Sequence, residues 1–330
     1  MKQFIVITSI FPPSEAVKKY AQLEGWDLIV VGDKKTPKDW GWQKVRFISD
    51  VDQEKSDFET ARCLPWNHYS RKMIGYLAAI ESGAEIILDT DDDNIPKDDW
   101  GLPDFLNAYD LTPSDRSFVN IYRYFSDQPI WPRGFPLNRI MDKKTLLKDV
   151  DLKKQAVQVG IWQGLTDGDP DVDAIYRLTS NAACHFQGKD PLVLNKGTVC
   201  PFNSQNTAFV KALFPLLYLP AFVNFRFTDI LRGLVAQPIM WQTGYLLGFT
   251  KPSVVQKRNE HDSFVDFVSE VPCYLYAEKI VEIVEAAIRT KFSIMENLLV
   301  VYENLYRHNI VTRAEPDLVQ TWIRDLEKYL

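Results

Sequence analysis

The chain opens on a buried-strand pattern. Residues 4–10 are apolar or β-branched at every position up to Thr8, as in a parallel strand covered on both faces; a half-exposed strand would alternate. Residues 14–23 then take helical spacing. A second apolar run, 26–31, ends at Gly32-Asp33, and 45–49 reads as a third short strand. This β-α-β rhythm predicts an α/β fold with a doubly wound, mostly parallel central sheet flanked by helices, whose ligands sit at the carboxyl ends of the strands.

A helix is predicted over 69–82, with apolar positions at Met73, Ile74, Leu77, Ala78 and Ile80 and a stop at Gly83. The strand 85–88 follows and runs straight into an acidic segment. Residues 100–190 are irregular and rich in Pro and Asp, which predicts pocket-building loops with little regular structure. From 277 onward the periodicity is helical. Ile280, Val281, Ile283, Val284, Ala287 and Ile288 form one stripe, and Pro316 precedes a last helix carrying Leu318, Trp322 and Leu326. The expected division is a nucleotide-binding catalytic domain over 1–270 and a helical extension, assigned to packing, over 271–330.

Composition narrows the function. With 330 residues, 46% hydrophobic and 25% charged, the chain can bury the core of one large α/β domain. A formal net charge of -6 argues against nucleic acid as the partner, since phosphate-backbone affinity needs accumulated Lys and Arg. Cys63, Cys184, Cys200 and Cys273 are too scattered for a zinc site or a disulfide framework and read as reduced. The first apolar run is too short for a signal peptide, and the run 212–223 is interrupted by Pro215 and Pro220. No transmembrane segment is therefore expected, and the expected location is cytoplasmic.

The segment IILDTDDDNIP places Asp89, Asp91, Asp92 and Asp93 directly after a buried strand. Neighbouring carboxylates repel and raise one another's pKa, and a divalent cation offsets that penalty. Mn²⁺ or Mg²⁺ suits such oxygen donors and keeps coordination positions for substrate phosphates. A solvated acidic turn is the bland alternative; the strand-end position favours a ligand site, with Asp91 and Asp93 as metal ligands. An EF-hand loop fails, because the segment has neither the glycine nor the terminal Glu at the spacing that loop requires: Pro96 stands at the glycine position counted from Asp91, and Trp100 at the Glu position counted from Asp89.

The stretches VVGDKKTPKDW, PWNHYSRKMIGYLAAIESGAEIILDTDDDNIP, DGDPDVDAIYRLT, KGTVCPFNSQNTAF and FRFTDILRG resemble the STELLO family of probable glycosyltransferases. They are similar, more weakly, to the reversibly glycosylated polypeptides, which are UDP-arabinopyranose mutases. Where the mutases carry Cys after the acidic triplet, this chain has Asn94. The resemblance implies a GT-A (Rossmann-like) glycosyltransferase fold, a DXD metal motif, a UDP-sugar donor and a carbohydrate or glycan acceptor. Mutation of a UDP-sugar ring and non-catalytic binding are the alternative readings.

By the same resemblance Thr8, Ser9, Ile10 and Asp33 cradle the nucleoside. Asp33 has two readings from its residue type, acceptor for a uracil imide or cap of a turn. Lys34 is close enough in sequence to touch phosphate. Arg71 and Lys72 open a helix, where cations oppose the macrodipole unless an anion is near, and that points them at the diphosphate, as do Asp89 and Asp92 by their place in the acidic run. Asn67 or Ser70 is the expected N-cap. Asp171 and Asp173 hold sugar hydroxyls or stabilise a turn, and Arg133 matches an arginine of the mutase family. Asn203, Gln205 and Asn206 offer amides that read hydroxyls. Asp229, isolated among apolar residues at a helix start, would gain a raised pKa from desolvation and act as general base, with Arg232 grouped beside it as catalytic. Its bland alternative is a cap or an ion pair with Arg226 or Arg232. His261 is the expected late metal ligand.

Overall fold

The computed structural model describes residues 1–330 apart from 115–116, 148–149, 181, 183 and 258–261. The strands are β1 Gln3–Thr8, β2 Trp26–Val31, β3 Val45–Ile48, β4 Ile86–Thr90, β5 Asn94–Pro96, β6 Leu106–Leu111, β7 Lys153–Asp167, β8 Leu192–Val193, β9 Asn206–Val210 and β10 Leu246–Gln256. Among the described residues they join one ten-stranded sheet in the order β3-β2-β1-β4-β9-β7-β6-β8-β10-β5, with β7 also paired to β10.

The α/β class is as expected. The sheet is mixed, however. Its first four strands, β3-β2-β1-β4, are all parallel, and direction reverses where β9 enters between β4 and β7. The parallel half is the one whose sequence reads as continuous apolar runs; Ile5, Val6, Ile7, Ile29, Val30, Val31, Ile87 and Leu88 are all fully buried. Helices cover it. Ser14 caps the helix Glu15–Tyr20 by accepting from Val17 N at 3.2 Å. The helix Lys72–Glu81 lies close enough to the sheet that a Cβ on Gly75 would stand 2.5 Å from Val6 Cγ1. That close approach sets Lys72 over the end of β4.

The stretch 100–190 departs from expectation, because it contributes β6 and the fifteen-residue β7. The first half of β7 pairs with β6 and the second half with β10. Its first six residues are largely exposed while Val159–Thr166 are buried, so one strand carries two hydropathy patterns and shows no single period.

Residue 270, the expected boundary, lies within the helix Ser263–Ala287, where the Glu270 carboxylate accepts from Ala174 N at 2.7 Å. The two following helices, Ile294–Arg307 and Ala314–Leu326, are tied to the sheet-bearing part. Trp322 is fully buried and donates to Pro215 O at 3.1 Å. Asp325 accepts from Glu59 N and Thr60 N at 3.1 and 2.8 Å, capping the helix Glu59–Cys63 from outside.

Glu315 is fully buried. It accepts from the Tyr218 hydroxyl at 2.5 Å and from the Phe222 amide, and burial pushes its carboxyl up to about 7. A carboxyl raised on folding binds its proton more tightly in the folded chain, so stability falls as pH rises from the unfolded value through about 7. The expected loss between pH 5 and 8 is about 2–3 kcal/mol. Denaturant titrations should show that slope in the native chain and a flatter one in Glu315→Gln.

Candidate functional site

A cavity of about 300 Å³ opens where β1, β2 and β4 end. Thr8, Ser9 and Ile10 line it from β1, Asp33 from β2, and Asp91, Asp92 and Asp93 from the segment after β4. These predicted residues come together because parallel neighbouring strands deliver their ends to one edge.

The acidic run splits into two layers. Asp89, inside β4 and fully buried, lies behind the cavity and bonds Lys72 Nζ at 2.8 Å and Arg232 Nη1 at 2.6 Å. Burial works to raise the Asp89 carboxyl, but the two cations outweigh it and hold the group low. Lys72 is also fully buried and its ammonium meets four acceptors: Asp89 Oδ1, Asp91 Oδ1, Thr90 O and the Tyr69 hydroxyl, all within 2.8 Å. The anions that reconcile Lys72 with its helix start are therefore the chain's own carboxylates. Charge crowding, which the sequence pattern assigns to a metal, is offset in part by two buried side chains. Arg232 does not line the cavity; besides Asp89 it bonds Asn203 O and Ser204 Oγ.

Asp91, Asp92 and Asp93 form the front layer. Asp91 Oδ1 also accepts from the Tyr69 hydroxyl at 2.7 Å, and burial raises its carboxyl against the pull of Lys72. Asp92 accepts from Ser9 Oγ at 2.5 Å, locking the ends of β1 and β4 together. Asp93 accepts from Gln256 Nε2 at 2.9 Å through Oδ2, while its buried Oδ1 has no partner among the described residues. Burial and the neighbouring Asp91 push its carboxyl up to about 7.

Among the described residues no three His, Cys, Asp or Glu side chains gather as a metal cage, and His261 lies outside the described residues. The residues present nevertheless fit a hard divalent cation. Mg²⁺-type sites often use only one or two carboxylates and leave the rest to phosphate and water. The orphaned oxygen of Asp93, next to Asp91, is a donor set of that kind.

At the β2 end, Asp33 accepts three backbone amides: Lys34 N at 2.6 Å, Asn67 N at 2.8 Å and His68 N at 3.1 Å. It ties two loops together and still borders the cavity. Lys34 turns away to Glu54 at 2.5 Å and Asp50 at 3.4 Å, and Lys35 lines the cavity instead. Arg71 borders the cavity, with Nε on Gln53 Oε1 and Nη1 on the carbonyls of Ala61 and Leu64. The N-cap is neither Asn67 nor Ser70; it is His68, whose Nδ1 accepts from Ser70 N.

The remaining expected residues form a second, internal network. Arg133 bonds Asp171 in bidentate fashion at 2.8 and 2.7 Å, and its Nη2 also reaches both oxygens of Asp229 at 3.1 and 2.9 Å. Asp229 is thus not isolated, and its partner is Arg133, from a loop 96 residues away, in place of Arg226 or Arg232. Asp171 further accepts from Asn203 Nδ2 at 2.9 Å. Asp173 caps the helix Ala174–Thr179 through Tyr176 N and accepts from Trp131 Nε1, which is the turn-stabilising arrangement. Gln205 donates to Gln256 Oε1 at 2.7 Å, and Asn206 to Ser253 Oγ at 2.7 Å. None of Arg133, Asp171, Asp173, Asn203, Gln205, Asn206 or Asp229 lines the cavity at the strand ends. Sequence reading missed Tyr69, His68, Phe225 and Gln256, all cavity-lining. His68, Tyr69 and Phe225 stand inside stretches that carry the family resemblance, whereas Gln256 lies outside them and no motif marks it.

Fold and cavity together define a class: α/β proteins that present an acidic cleft at the carboxyl ends of parallel strands. Within it, residues 226–329 match the family model described as STELLO glycosyltransferases. Over 98% of its length the chain is 27% identical to two proteins of Arabidopsis thaliana, the probable glycosyltransferases STELLO1 and STELLO2. It spans 44% of the length of each. The matched family and both relatives are glycosyltransferases by name, which bears out the resemblance carried by the motifs. The match also crosses residue 270 and takes in the C-terminal helices. Among the described residues, no helix is long and apolar enough to cross a membrane.

Proposed function

We propose that the chain is a metal-dependent glycosyltransferase of GT-A type that binds a UDP-sugar across the ends of β2, β1 and β4 and transfers the sugar to a carbohydrate acceptor. The observation that carries this reading is the cavity itself: three parallel strand ends lead to carboxylates, one of which keeps a buried oxygen with no partner among the described residues.

Asp91 and Asp93 are the residues that would hold Mn²⁺ or Mg²⁺. A bound cation supplies Lewis-acid stabilisation of the departing diphosphate. The chain's own residues do the positioning. Lys72 and Tyr69 fix one oxygen of Asp91, Gln256 fixes one oxygen of Asp93, and Ser9 holds Asp92. Preorganisation of this kind lowers the reorganisation needed when charge develops. Asp229 is the proposed proton acceptor for the attacking hydroxyl. Its support is position: it stands in the first turn of the helix Thr228–Met240, four residues after the cavity-lining Phe225, and its charge acts on Tyr69.

The test is incubation with Mn²⁺ and a panel of UDP-sugars, with and without oligosaccharide acceptors. Acceptor-dependent release of UDP is the expected result, reduced about 100-fold or more in Asp229→Asn. A changed sugar ring still attached to UDP would replace transfer with mutation, and binding without either product would leave a non-catalytic binder.

A further inference from the structure

The first half of the helix Ser263–Ala287 has its polarity reversed. Asp266 and Glu270 are buried on the side that faces the protein, together with Cys273 and Ala277, and Glu270 accepts from Arg226 Nε at 2.9 Å and from Ala174 N at 2.7 Å. On the opposite side Phe264, Val268 and Leu275 are 71%, 67% and 64% exposed, flanked by the exposed Val265 and Phe267, with Val271 half-buried among them. Turning the helix to bury this apolar stripe would pull both carboxylates away from Arg226, which lies 3.9 Å from Asp266 and 2.8 Å from Glu270. The ion pairs therefore hold the stripe outward.

Spacing, charge and area bear on what covers it. Residues 264, 268, 271 and 275 step by four, three and four, the interval of a seam that a single partner helix fills. A helix that lies on a bilayer carries Lys and Arg on its polar face, whereas none occurs between residues 263 and 278, in a chain of net charge -6. A two-fold axis through the middle of the stripe sets Phe264 against Leu275 and Val268 against Val271 of a second copy, with no charge at any of the four positions. At roughly 100 Å² for each well-exposed side chain, the face offers on the order of 500 Å² per chain, which reaches the total of about 1,000 Å² expected of a specific interface.

We propose that this stripe is the contact surface of a homodimer in which the helix Ser263–Ala287 packs antiparallel against its own copy. The contact does not depend on the transferase reading, but it adjoins the cavity wall. Ser269 Oγ on the same helix accepts from Arg226 N at 3.3 Å, and the neighbouring Phe225 borders the cavity.

Sedimentation velocity of the full chain between about 1 and 100 μM tests the contact. The expected result is a species of twice the chain's mass that dissociates on dilution. Val268→Glu buries an unpaired charge in the contact and should weaken association by about 100-fold or more, and Leu275→Glu at the end of the stripe should act alike. Both side chains are exposed in the single chain, so circular dichroism of the variants should match that of the native protein. Adding Val271→Lys to Val268→Glu sets opposite charges across an antiparallel pair and should restore part of the association. A monomer throughout that range, a dimer indifferent to both single variants, or no recovery in the paired variant would overturn the proposal. Binding of the monomer to phosphatidylcholine–phosphatidylserine vesicles, abolished by Val268→Glu, would overturn it in favour of a bilayer.

Discussion

Replacing Lys72 with methionine is expected to lower folding stability by about 3–5 kcal/mol, the usual loss when one partner of a buried ion pair is removed. The ammonium has no exposure to water and bonds Asp89 and Asp91 together. Without it Asp89 keeps only Arg232, and Asp91 loses its one cation among the ion pairs of the described residues. Denaturant titration of Lys72→Met against the native chain measures the loss directly. The same reasoning gives a second readout on the native chain. Because Lys72 and Arg232 already offset part of the crowded charge, stripping divalent cations with a chelator should leave the unfolding midpoint nearly unchanged. A large drop would mean that the cation holds up the fold itself.

Asp93→Asn should behave in the opposite sense. Its Oδ1 is buried without a partner among the described residues and its carboxyl is pushed up to about 7 by burial and Asp91, so replacing it by a neutral amide relieves desolvation and repulsion. Stability is expected to hold or rise slightly, as at sites where function is kept at the expense of stability. Binding of Mn²⁺ together with UDP is expected to weaken by about 100-fold or more, since a cation held by two carboxylates loses one of them. Calorimetry of ligand binding beside thermal unfolding separates the two effects. An unchanged affinity would remove Asp93 from the cation site, and a collapse of the fold would mark it as a packing residue.

The contrast between Lys72 and Asp93 also shows what a one-dimensional pattern can carry. β1, β2 and β4 were legible because strands covered on both faces are apolar without interruption, and the position of the acidic run followed from them. The layering of that run was not legible. Asp89 and Asp91 are two residues apart in the chain and share Lys72, yet Asp91 borders the cavity while Asp89 turns to a second buried cation, Arg232, a division set by where the helices Lys72–Glu81 and Thr228–Met240 pack. Asp229 reads as a lone carboxylate among apolar neighbours; its ion pair with Arg133 depends on a loop whose place no local signal announces. Likewise β7 escaped notice because half of it lies in solvent beside β6 and half in the core beside β10. Gln256 carries no signature, since an amide is a common residue until separate segments converge on it.

Asp325 gives the last helix a further consequence. Its carboxylate caps the helix Glu59–Cys63, the carbonyls of Ala61 and Leu64 then hold Arg71, and Arg71 borders the cavity. A ribosome that has released this polypeptide only as far as β10 has made every strand of the sheet, yet not the clamp that steadies the far wall of the cleft. The far wall of the cleft is therefore complete only once Asp325 is in place, and proteolytic clipping between β10 and residue 325 would leave a body with its strands in place and that wall loosened.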